Sequence, residues 1–216
     1  MSSVSGAHHE AKASSQAAAM SQRDAELMRQ VQAGDRAAYG QIVVAYQHRL
    51  YNAVLRLIGE PGEAAELTQE AFMRGLMKAD TFRGQSSAYT WLFRIALNLS
   101  LSELRKPRRK RSFSLDQPAG RADGDGQASA LIDRLSAERT SSPLEALEIQ
   151  ERDQQVLAAL GRLDADHRAV LVMCDIEGFD YQQMSEILDV PLGTLKSRIF
   201  RARLALRDEL KSYMQL

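Results

Sequence analysis

The chain has 216 residues, enough for one large or two small domains, and its 44% hydrophobic and 26% charged residues are typical of a globular protein. The 28 basic and 28 acidic residues give a formal net charge of zero, which taken alone argues against a nucleic-acid-binding protein. The single cysteine, Cys174, excludes an internal disulfide framework. Because no apolar run suits a membrane span or a secretory signal, we expect a cytoplasmic protein without membrane insertion.

The N-terminal part of the sequence predicts a tail followed by two helices. Residues 1–20 are rich in Ser, Ala and Gln and lack apolar periodicity, which predicts a disordered tail. Asp24 can cap a short helix that ends at Gly34, and Asp35 can cap the next. That next helix carries apolar residues at helical spacing over about five turns. They are Tyr39, Ile42, Val43, Tyr46, Leu50, Val54, Leu57 and Ile58.

Two further helices complete a first domain, which we place at residues 21–110. One helix is expected from about Gly62 to Lys78 and the other from about Ala88 to Leu104. The inward-facing candidates of the earlier helix are Leu67, Ala71 and Leu76. No segment shows the alternation of a strand, so the sequence predicts an all-α fold in which these helices form a compact bundle.

The composition changes after Pro107. Gly, Pro, Ser and Asp replace periodic apolar residues, over a segment too long for a loop within a compact domain. We therefore predict a flexible linker at residues 111–143 and a second small helical domain at residues 144–216. This domain begins with a helix over about Leu144 to Leu160, closed by Gly161, and Asp164 can cap the next helix, which carries the apolar residues Val170, Leu171 and Ile176.

The clearest motif is a helix-turn-helix from Asp180 to about Leu210. Asp180 and Gln183 have the spacing of a capping box, and the short helix after them breaks near Pro191. A second helix starts near Leu192, with Leu195, Ile199, Ala202 and Leu206 at core spacing.

Basic residues are concentrated at two places despite the neutral net charge. Residues 105–111 read RKPRRKR. The second helix of the motif carries Lys196, Arg198, Arg201 and Arg203 outside its apolar stripe, so we expect these side chains to be free for solvent or a major groove. Thr194 and Ser197 suit phosphate contacts in the first turn. The alternative, for both clusters, is an ordinary solvated basic surface.

With both halves considered, the sequence resembles the extracytoplasmic-function (ECF) class of bacterial sigma factors, the RNA polymerase subunits that select promoters. Three blocks carry the resemblance: AELTQEAFMRGLMKADTFRG at 65–84, SAYTWLFRIALNLSLSELRKPRR at 87–109, and LDADHRAVLVMCDIEGFDYQQMSEILDVPLGTLKSRIFRARLALRDEL at 163–210. The PLGTLKSRIFRAR core is highly specific. The resemblance implies that residues 21–110 are the sigma-two domain and residues 144–216 the sigma-four domain.

The resemblance also implies three sets of site residues. Those that bind a coiled coil of the polymerase largest subunit are Glu66, Gln69, Glu70 and Arg74. Those that recognise the minus-ten element are Tyr89, Trp91, Asn98, Ser100, Arg105, Arg108 and Arg109. A loop around Asn98 would capture an unstacked base, while Tyr89 and Trp91 are either stacking faces or core residues. Those that recognise the minus-thirty-five element are Thr194, Lys196, Ser197, Arg198, Phe200, Arg201 and Arg203.

The implied function is non-enzymatic and needs no cofactor or metal. The protein would bind core polymerase through its coiled coil and flap, direct promoter-specific initiation at the nucleoid, and be controlled by an anti-sigma factor in a stress or envelope-type regulon. A stand-alone helix-turn-helix regulator is the alternative, but it leaves the aromatic and basic residues of the first domain unexplained. An enzyme finds little support, since the four His and one Cys have no metal-ligand spacing.

Overall fold

The structure, a computed structural model, describes residues 20–106 and 155–214, with side chains described up to residue 211. Within these ranges every regular element is helical, which confirms the prediction of an all-α fold. The chain divides into two compact units, Met1–Leu55 with Gly62–Ser100 and Arg56–Pro61 with Leu101–Leu216. The predicted linker lies outside the described residues, as do residues 1–19 of the predicted tail.

The described residues of the N-terminal half, 20–106, contain four α-helices. Helix α1 covers residues 20–32, α2 covers Arg36–Ile58, α3 covers Pro61–Met77 and α4 covers Ala88–Arg105. A 3-10 turn, Ala79–Thr81, follows α3. These bounds agree with the predicted helices except that α1 begins before Asp24.

The two aspartates expected to cap α1 and α2 behave differently. Asp35 caps α2, since its carboxylate accepts hydrogen bonds from the N–H groups of Ala37 and Ala38 at 2.8 and 3.3 Å. Asp24 is not a cap, and that prediction was wrong. It lies inside α1 with 4% exposure, and its carboxylate accepts a 2.5 Å hydrogen bond from the Tyr46 hydroxyl of α2. A long-range partner therefore explains this residue better than its own helix terminus does.

The first core is built on α2, as the sequence predicts. Every residue of the predicted stripe is buried except Val43, which is half-buried. The expectation for Leu76 of α3 was wrong, because that side chain is 38% exposed, and Leu67 is only half-buried. The buried residues of α3 are Ala64, Thr68, Ala71, Phe72 and Gly75. Most of them are small, so α3 packs close to its neighbours.

Gly75 marks the closest approach of α3. A Cβ atom at this position would lie 2.5 Å from the hydroxyl oxygen of Tyr39 and 2.7 Å from a methyl carbon of Leu92. The same Tyr39 hydroxyl donates a 2.6 Å hydrogen bond to the carbonyl of Phe72. A larger residue here would have to displace the Tyr39 hydroxyl and the Leu92 methyl group, so glycine permits the close packing of α3 against α2 and α4.

The described residues of the C-terminal half contain four more helices. Helix α5 is described over residues 155–162, α6 covers Ala165–Leu171, α7 covers Tyr181–Leu188 and α8 covers Leu192–Met214. Residues 144–154 of the predicted first helix of this domain lie outside the described residues. Asp164 caps α6 as predicted, with the N–H of His167 at 2.9 Å from its carboxylate. Gly161 lies within α5 and does not end it, so that expectation was wrong by about one residue.

Helix α6 continues directly into a π-helical turn, Val172–Ile176. A π turn holds an additional residue compared with an α turn and so changes which side chains face inward. Val172 and Met173 are buried, whereas Ile176 is 38% exposed. The sequence predicts one helix that carries Ile176 among its apolar residues, whereas the structure has a π turn here and leaves that side chain exposed.

Candidate nucleic-acid interface

Helices α7 and α8 form the predicted helix-turn-helix. The capping box is complete: the Asp180 carboxylate accepts from the Gln183 N–H at 2.8 Å, and the Gln183 side chain accepts from the Asp180 N–H at 3.2 Å. Asp189 ends α7 in the left-handed conformation, with φ of 53°. The hydroxyl of Ser185 donates a 2.6 Å hydrogen bond to the Val190 carbonyl and closes the turn. These bonds fix the direction in which α8 leaves the turn.

Helix α8 is amphipathic in the way that its spacing predicts. Leu195, Ile199 and Ala202 are at most 2% exposed and attach the helix to its own unit, whereas Leu206, expected in the same stripe, is only half-buried. Residues on the opposite side are exposed, including Phe200, whose exposure of 66% is unusual for an aromatic side chain. We define the outer face of α8 as Thr194, Lys196, Ser197, Phe200 and Arg201, all of which are exposed.

Two arginines of α8 are not free, contrary to expectation. The Arg203 guanidinium makes two bonds to the Asp175 carboxylate, at 2.5 and 3.2 Å, and Asp175 belongs to the π turn. This hydrogen bond and the charge of Asp175 raise the pKa of Arg203 above its ordinary value. Arg198 lies 3.6 Å from a carboxylate oxygen of Asp166. Both arginines lie at the edges of the outer face, where acidic residues of neighbouring elements pair with them.

Cys174 lies beside the Arg203 ion pair and is half-buried, with its sulfur 3.6 Å from the Arg203 guanidinium. Burial and the neighbouring Asp175 carboxylate raise the pKa of the thiol, against the opposing effect of Arg203. A thiol with a raised pKa forms less thiolate and reacts slowly. This half-buried cysteine is therefore better suited to packing than to nucleophilic chemistry.

The segment expected to recognise minus-ten DNA lies on α4. Asn98 is exposed and Trp91 is half-buried. Both lie in continuous helix, as does Ser100, so the expectation of a loop around Asn98 was wrong. Ser100 is completely buried and donates a hydrogen bond to the Ala96 carbonyl at 2.9 Å. Its hydroxyl is thus used within the helix and is not presented to a nucleotide.

Tyr89 lies in the core, which settles the choice between core and stacking that the sequence left open. It is 3% exposed, and its ring lies between Tyr46 and Phe93 with centroid separations of 5.3 and 6.2 Å. The Arg49 guanidinium lies 3.9 Å from the ring centroid, a cation–π geometry. Of the basic residues expected here, Arg105 is exposed with its guanidinium 3.8 Å from the Asp166 carboxylate, and Arg108 and Arg109 lie outside the described residues.

The expected polymerase-binding residues share the surface of α3. Glu66, Gln69 and Arg74 are exposed, Glu70 is half-buried, and Arg74 pairs with Glu70 at 2.6 Å. The structure adds two residues that the sequence analysis missed. Met73 and Met77 are 61% and 80% exposed, one turn apart on the same helix. The sequence contained a signal for them, because both methionines lie outside the buried stripe of α3 and methionine is common in adaptable binding surfaces.

Arg168 is another residue that sequence reasoning missed. It is 6% exposed, and its guanidinium donates to the carbonyls of Gly161 and Leu163 at 2.7 and 3.0 Å. These bonds satisfy backbone acceptors at the corner between α5 and α6, which would otherwise be buried without donors. Arg168 therefore stabilises the corner between α5 and α6.

Residues 20–106 and 155–214 contain neither a candidate metal site nor a candidate membrane span. No group of three or more His, Cys, Asp or Glu side chains in this part of the chain is arranged to hold a metal ion. Among the same residues, no helix combines the length and apolar character needed to cross a lipid bilayer.

A helix-turn-helix with basic residues on its exposed outer face, within an all-helical fold, is typical of DNA-binding proteins. The family models described as Sigma-70 region 2 and Sigma-70, region 4 match residues 42–110 and 153–206. The RNA polymerase sigma-H factor of Pseudomonas aeruginosa is 33% identical over 194 residues, covering 90% of this chain and 97% of that protein. The ECF RNA polymerase sigma-E factor of Escherichia coli K12 is 34% identical over 188 residues, covering 87% and 94%. The chain belongs to the sigma-70 family, in its extracytoplasmic-function class.

Solved structures agree with this assignment. The sigma factor RpoE, in complex with the anti-sigma factor NepR from Bartonella quintana, matches with 25% identity and a TM-score of 0.56, covering 80% of this chain and 96% of that one. CnrH, in complex with the cytosolic domain of CnrY, shares the fold with a TM-score of 0.57 and 23% identity, covering 88% and 98%. As a sigma factor, the protein directs promoter-specific transcription initiation. The region 2 match also accounts for the first helical unit, which a stand-alone regulator left unexplained.

Proposed function

We propose that this sigma factor binds core RNA polymerase through α3, minus-ten DNA through α4 and minus-thirty-five DNA through α8, without catalysing a reaction. The observation that carries the proposal is the outer face of α8, on which five exposed residues follow a complete capping box. The two basic residues of this face suit phosphates or guanine edges, and an exposed aromatic ring suits a thymine methyl group. No cofactor takes part in this cycle, which takes place in the cytoplasm at the nucleoid.

On α8, we assign the base contacts to Lys196, Phe200 and Arg201, and phosphate contacts to Thr194 and Ser197. The Ser197 hydroxyl donates to the Gly193 carbonyl at 3.0 Å, so it must rotate to reach a phosphate. Thr194 lies in the first turn of the helix, where unpaired backbone N–H groups favour an anion. Arg198 and Arg203 contribute only if DNA displaces their aspartate partners.

On α4, we assign base capture to Asn98 and base stacking to Trp91. Asn98 offers both a donor and an acceptor, as the edge of an unstacked base requires. Arg105, with Arg108 and Arg109, would then hold the phosphates of the separated strand. Capturing bases in this way offsets an unstacking cost of a few kcal/mol each, so melting requires no ATP from this subunit.

On α3, we assign polymerase binding to the acidic residues together with the two exposed methionines. Glu66 and Glu70 provide negative charge beside the apolar side chains of Met73 and Met77. A coiled coil with basic residues around an apolar contact, such as that of the polymerase largest subunit, complements this surface. The polymerase flap would bind the sigma-four domain, which holds α8 at the promoter.

We further propose control by an anti-sigma factor and a role in a stress or envelope-type regulon. The support is that both solved structures described above are complexes, one with the anti-sigma factor NepR and one with the cytosolic domain of CnrY. Such a partner would compete with polymerase, because sigma factor bound to the anti-sigma factor is withdrawn from the pool that binds core polymerase.

Run-off transcription with purified core polymerase on a genomic promoter library tests the proposal. We expect promoter-specific stimulation by the wild-type protein. Arg201→Ala should reduce it by about tenfold or more through lost minus-thirty-five contacts. Arg207→Ala is the matched control, because Arg207 is also exposed on α8 but pairs with the adjacent Asp208 at 3.0 Å. Failure to stimulate transcription and to co-purify with core polymerase would overturn the proposal.

The role of α4 has a separate test. Asn98→Ala should slow promoter opening and leave binding to core polymerase intact, whereas Ser102→Ala, one turn further along the same exposed side, should change neither. Loss of core binding in Asn98→Ala would contradict the assignment of this residue to DNA.

A further inference from the structure

The segment between α3 and α4, residues 78–87, joins the helix that we assign to polymerase with the helix that we assign to minus-ten DNA. We call it the α3–α4 connector. Outside its 3-10 turn it has no regular structure. Its position relative to the bundle therefore depends on side chains that bond to it, and α1 supplies such side chains at both ends.

The first attachment is Gln32, the last residue of α1. Its amide nitrogen donates to the carbonyls of Ala79 and Phe82, at 2.9 and 2.8 Å. An amide group has two N–H donors, so both are used on the connector. The two carbonyls lie 47 and 50 residues further along the chain, which makes Gln32 a long-range link to the connector.

Phe82 links the Gln32 hydrogen bonds to Trp91, because its backbone accepts one of them and its ring packs on the indole. Its ring is 9% exposed and packs edge-on against the indole, with centroids 5.5 Å apart and an interplanar angle of 68°. On α3, the indole lies 3.6 Å from the Cβ position of Gly75. The half-buried Trp91 thus packs on the connector and lies beside Gly75 of α3, and Gln32 bonds to the backbone of Phe82, against which the indole packs.

The second attachment is Asp24. Its carboxylate accepts the backbone N–H of Ala88, the first residue of α4, in addition to the Tyr46 hydroxyl. A carboxylate at a helix N-terminus is favourable, because the unpaired N–H groups there carry partial positive charge. Ser87 completes the end of the helix, accepting the Thr90 N–H at 3.0 Å. Helix α1 therefore fixes the connector near its start and at its junction with α4.

We infer that α1 fixes the α3–α4 connector, and that Gln32 is a positioning residue which holds Trp91, through Phe82, in the orientation that meets separated promoter bases. The inference rests on the proposed role of Trp91. It assigns a promoter-opening function to a helix that contacts neither DNA nor polymerase in that proposal. Sites of this kind depend on neighbouring residues that restrict the side chain in contact with the ligand.

Intrinsic fluorescence of the free protein tests the structural half of the inference, because Trp91 is the single tryptophan of the chain. Gln32→Ala should shift the emission of Trp91 to longer wavelength and raise its quenching by acrylamide, at unchanged helical content. Gln30→Ala is the matched control, since Gln30 lies on the same helix but donates to Glu26, also of α1. Gln32→Lys retains donors at similar reach and should return the emission towards that of the wild type.

Promoter opening by the holoenzyme, followed with 2-aminopurine in the minus-ten strand, tests the functional half. Loss of two hydrogen bonds should slow opening by about fivefold to thirtyfold in Gln32→Ala, with unchanged affinity for core polymerase. A lower melting temperature alone, with emission and opening equal to those of Gln30→Ala, would overturn the inference. If Trp91→Ala opens promoters as fast as the wild type, the proposed role of Trp91 fails instead. Slow opening by Trp91→Ala with normal opening by Gln32→Ala overturns only the inference.

Discussion

The hydrogen bond between Tyr46 and Asp24 provides a quantitative test of the first unit. Tyr46→Phe keeps the aromatic ring, which is 3% exposed, and removes the hydroxyl that bonds to the buried carboxylate at 2.5 Å. A hydrogen bond to a charged group contributes about 1.5–3 kcal/mol, and more is lost when the acceptor stays buried without its donor. We therefore expect the free energy of unfolding to fall by about 2–3 kcal/mol at neutral pH.

The same pair predicts a dependence on pH. Burial raises the pKa of the Asp24 carboxyl above its ordinary value of 3.8, and the Tyr46 hydroxyl opposes part of that rise. Between 3.8 and the higher native pKa, the native state binds more protons than the unfolded state. Stability that this group contributes is therefore fully present below 3.8 and is lost as the pH rises through the native pKa. Asp24→Asn should lack this dependence.

Denaturant unfolding from pH 3 to 8, followed by Trp91 emission, measures both effects in the first unit. In Tyr46→Phe the opposing hydrogen bond is gone, so the pKa of Asp24 rises further and the pH window of declining stability should extend upward. Tyr39→Phe is the matched control, since its buried hydroxyl bonds to the neutral carbonyl of Phe72 and should cost about 0.5–1.5 kcal/mol without changing the pH profile. Identical pH profiles for Tyr46→Phe and the wild type would refute the reasoning.

Three further predictions concern packing, capping and charge. Gly75→Ala should lower stability by about 1–3 kcal/mol in thermal unfolding, because the added Cβ meets two side chains. Gly40→Ala is the control: its Cβ meets no described atom within 4 Å, so it should raise stability by about 0.5–1 kcal/mol. Equal effects of the two substitutions would contradict the packing argument. Asp180→Ala should cost the second unit about 1 kcal/mol in denaturant unfolding through loss of its capping box, and an unchanged midpoint would show that the box contributes nothing. Asp175→Asn releases Arg203, so the slope of log affinity for minus-thirty-five duplex against log salt should steepen by about one; an unchanged slope would mean that the freed guanidinium stays away from DNA.

Features set by neighbouring residues could be predicted from the sequence. Asp35, Asp164 and Asp180 cap helices in the structure as their spacing indicates. The apolar stripes of α2 and α8 could also be predicted, because helical periodicity places their residues on one side of each helix. In each of these cases the interacting groups lie within a few turns of one another, so the sequence contains the whole interaction.

Features set by distant partners could not be predicted in the same way. Asp24 is expected from the sequence to cap α1, but in the structure its carboxylate accepts a hydrogen bond from Tyr46, 22 residues later. Arg203 is expected to be free, but in the structure it pairs with Asp175, which lies 28 residues earlier in the π turn. Gln32 carries no sequence signal for its bonds to the α3–α4 connector. For the candidate site, the sequence therefore predicts which helices carry it, while packing decides which of their polar side chains reach solvent.

The π turn at Val172–Ile176 makes the second unit sensitive to chain length as well as to composition. Deleting one residue there would let α6 continue as a regular α-helix, and the residues after the turn would keep their side of the helix, because a π turn holds one residue more than an α turn. Inserting one residue would instead rotate the later residues by about 100° around the helix axis and remove Phe179, which is buried, from the core. A one-residue insertion in this turn should consequently be tolerated far less than a one-residue deletion, even where every substitution in it is mild.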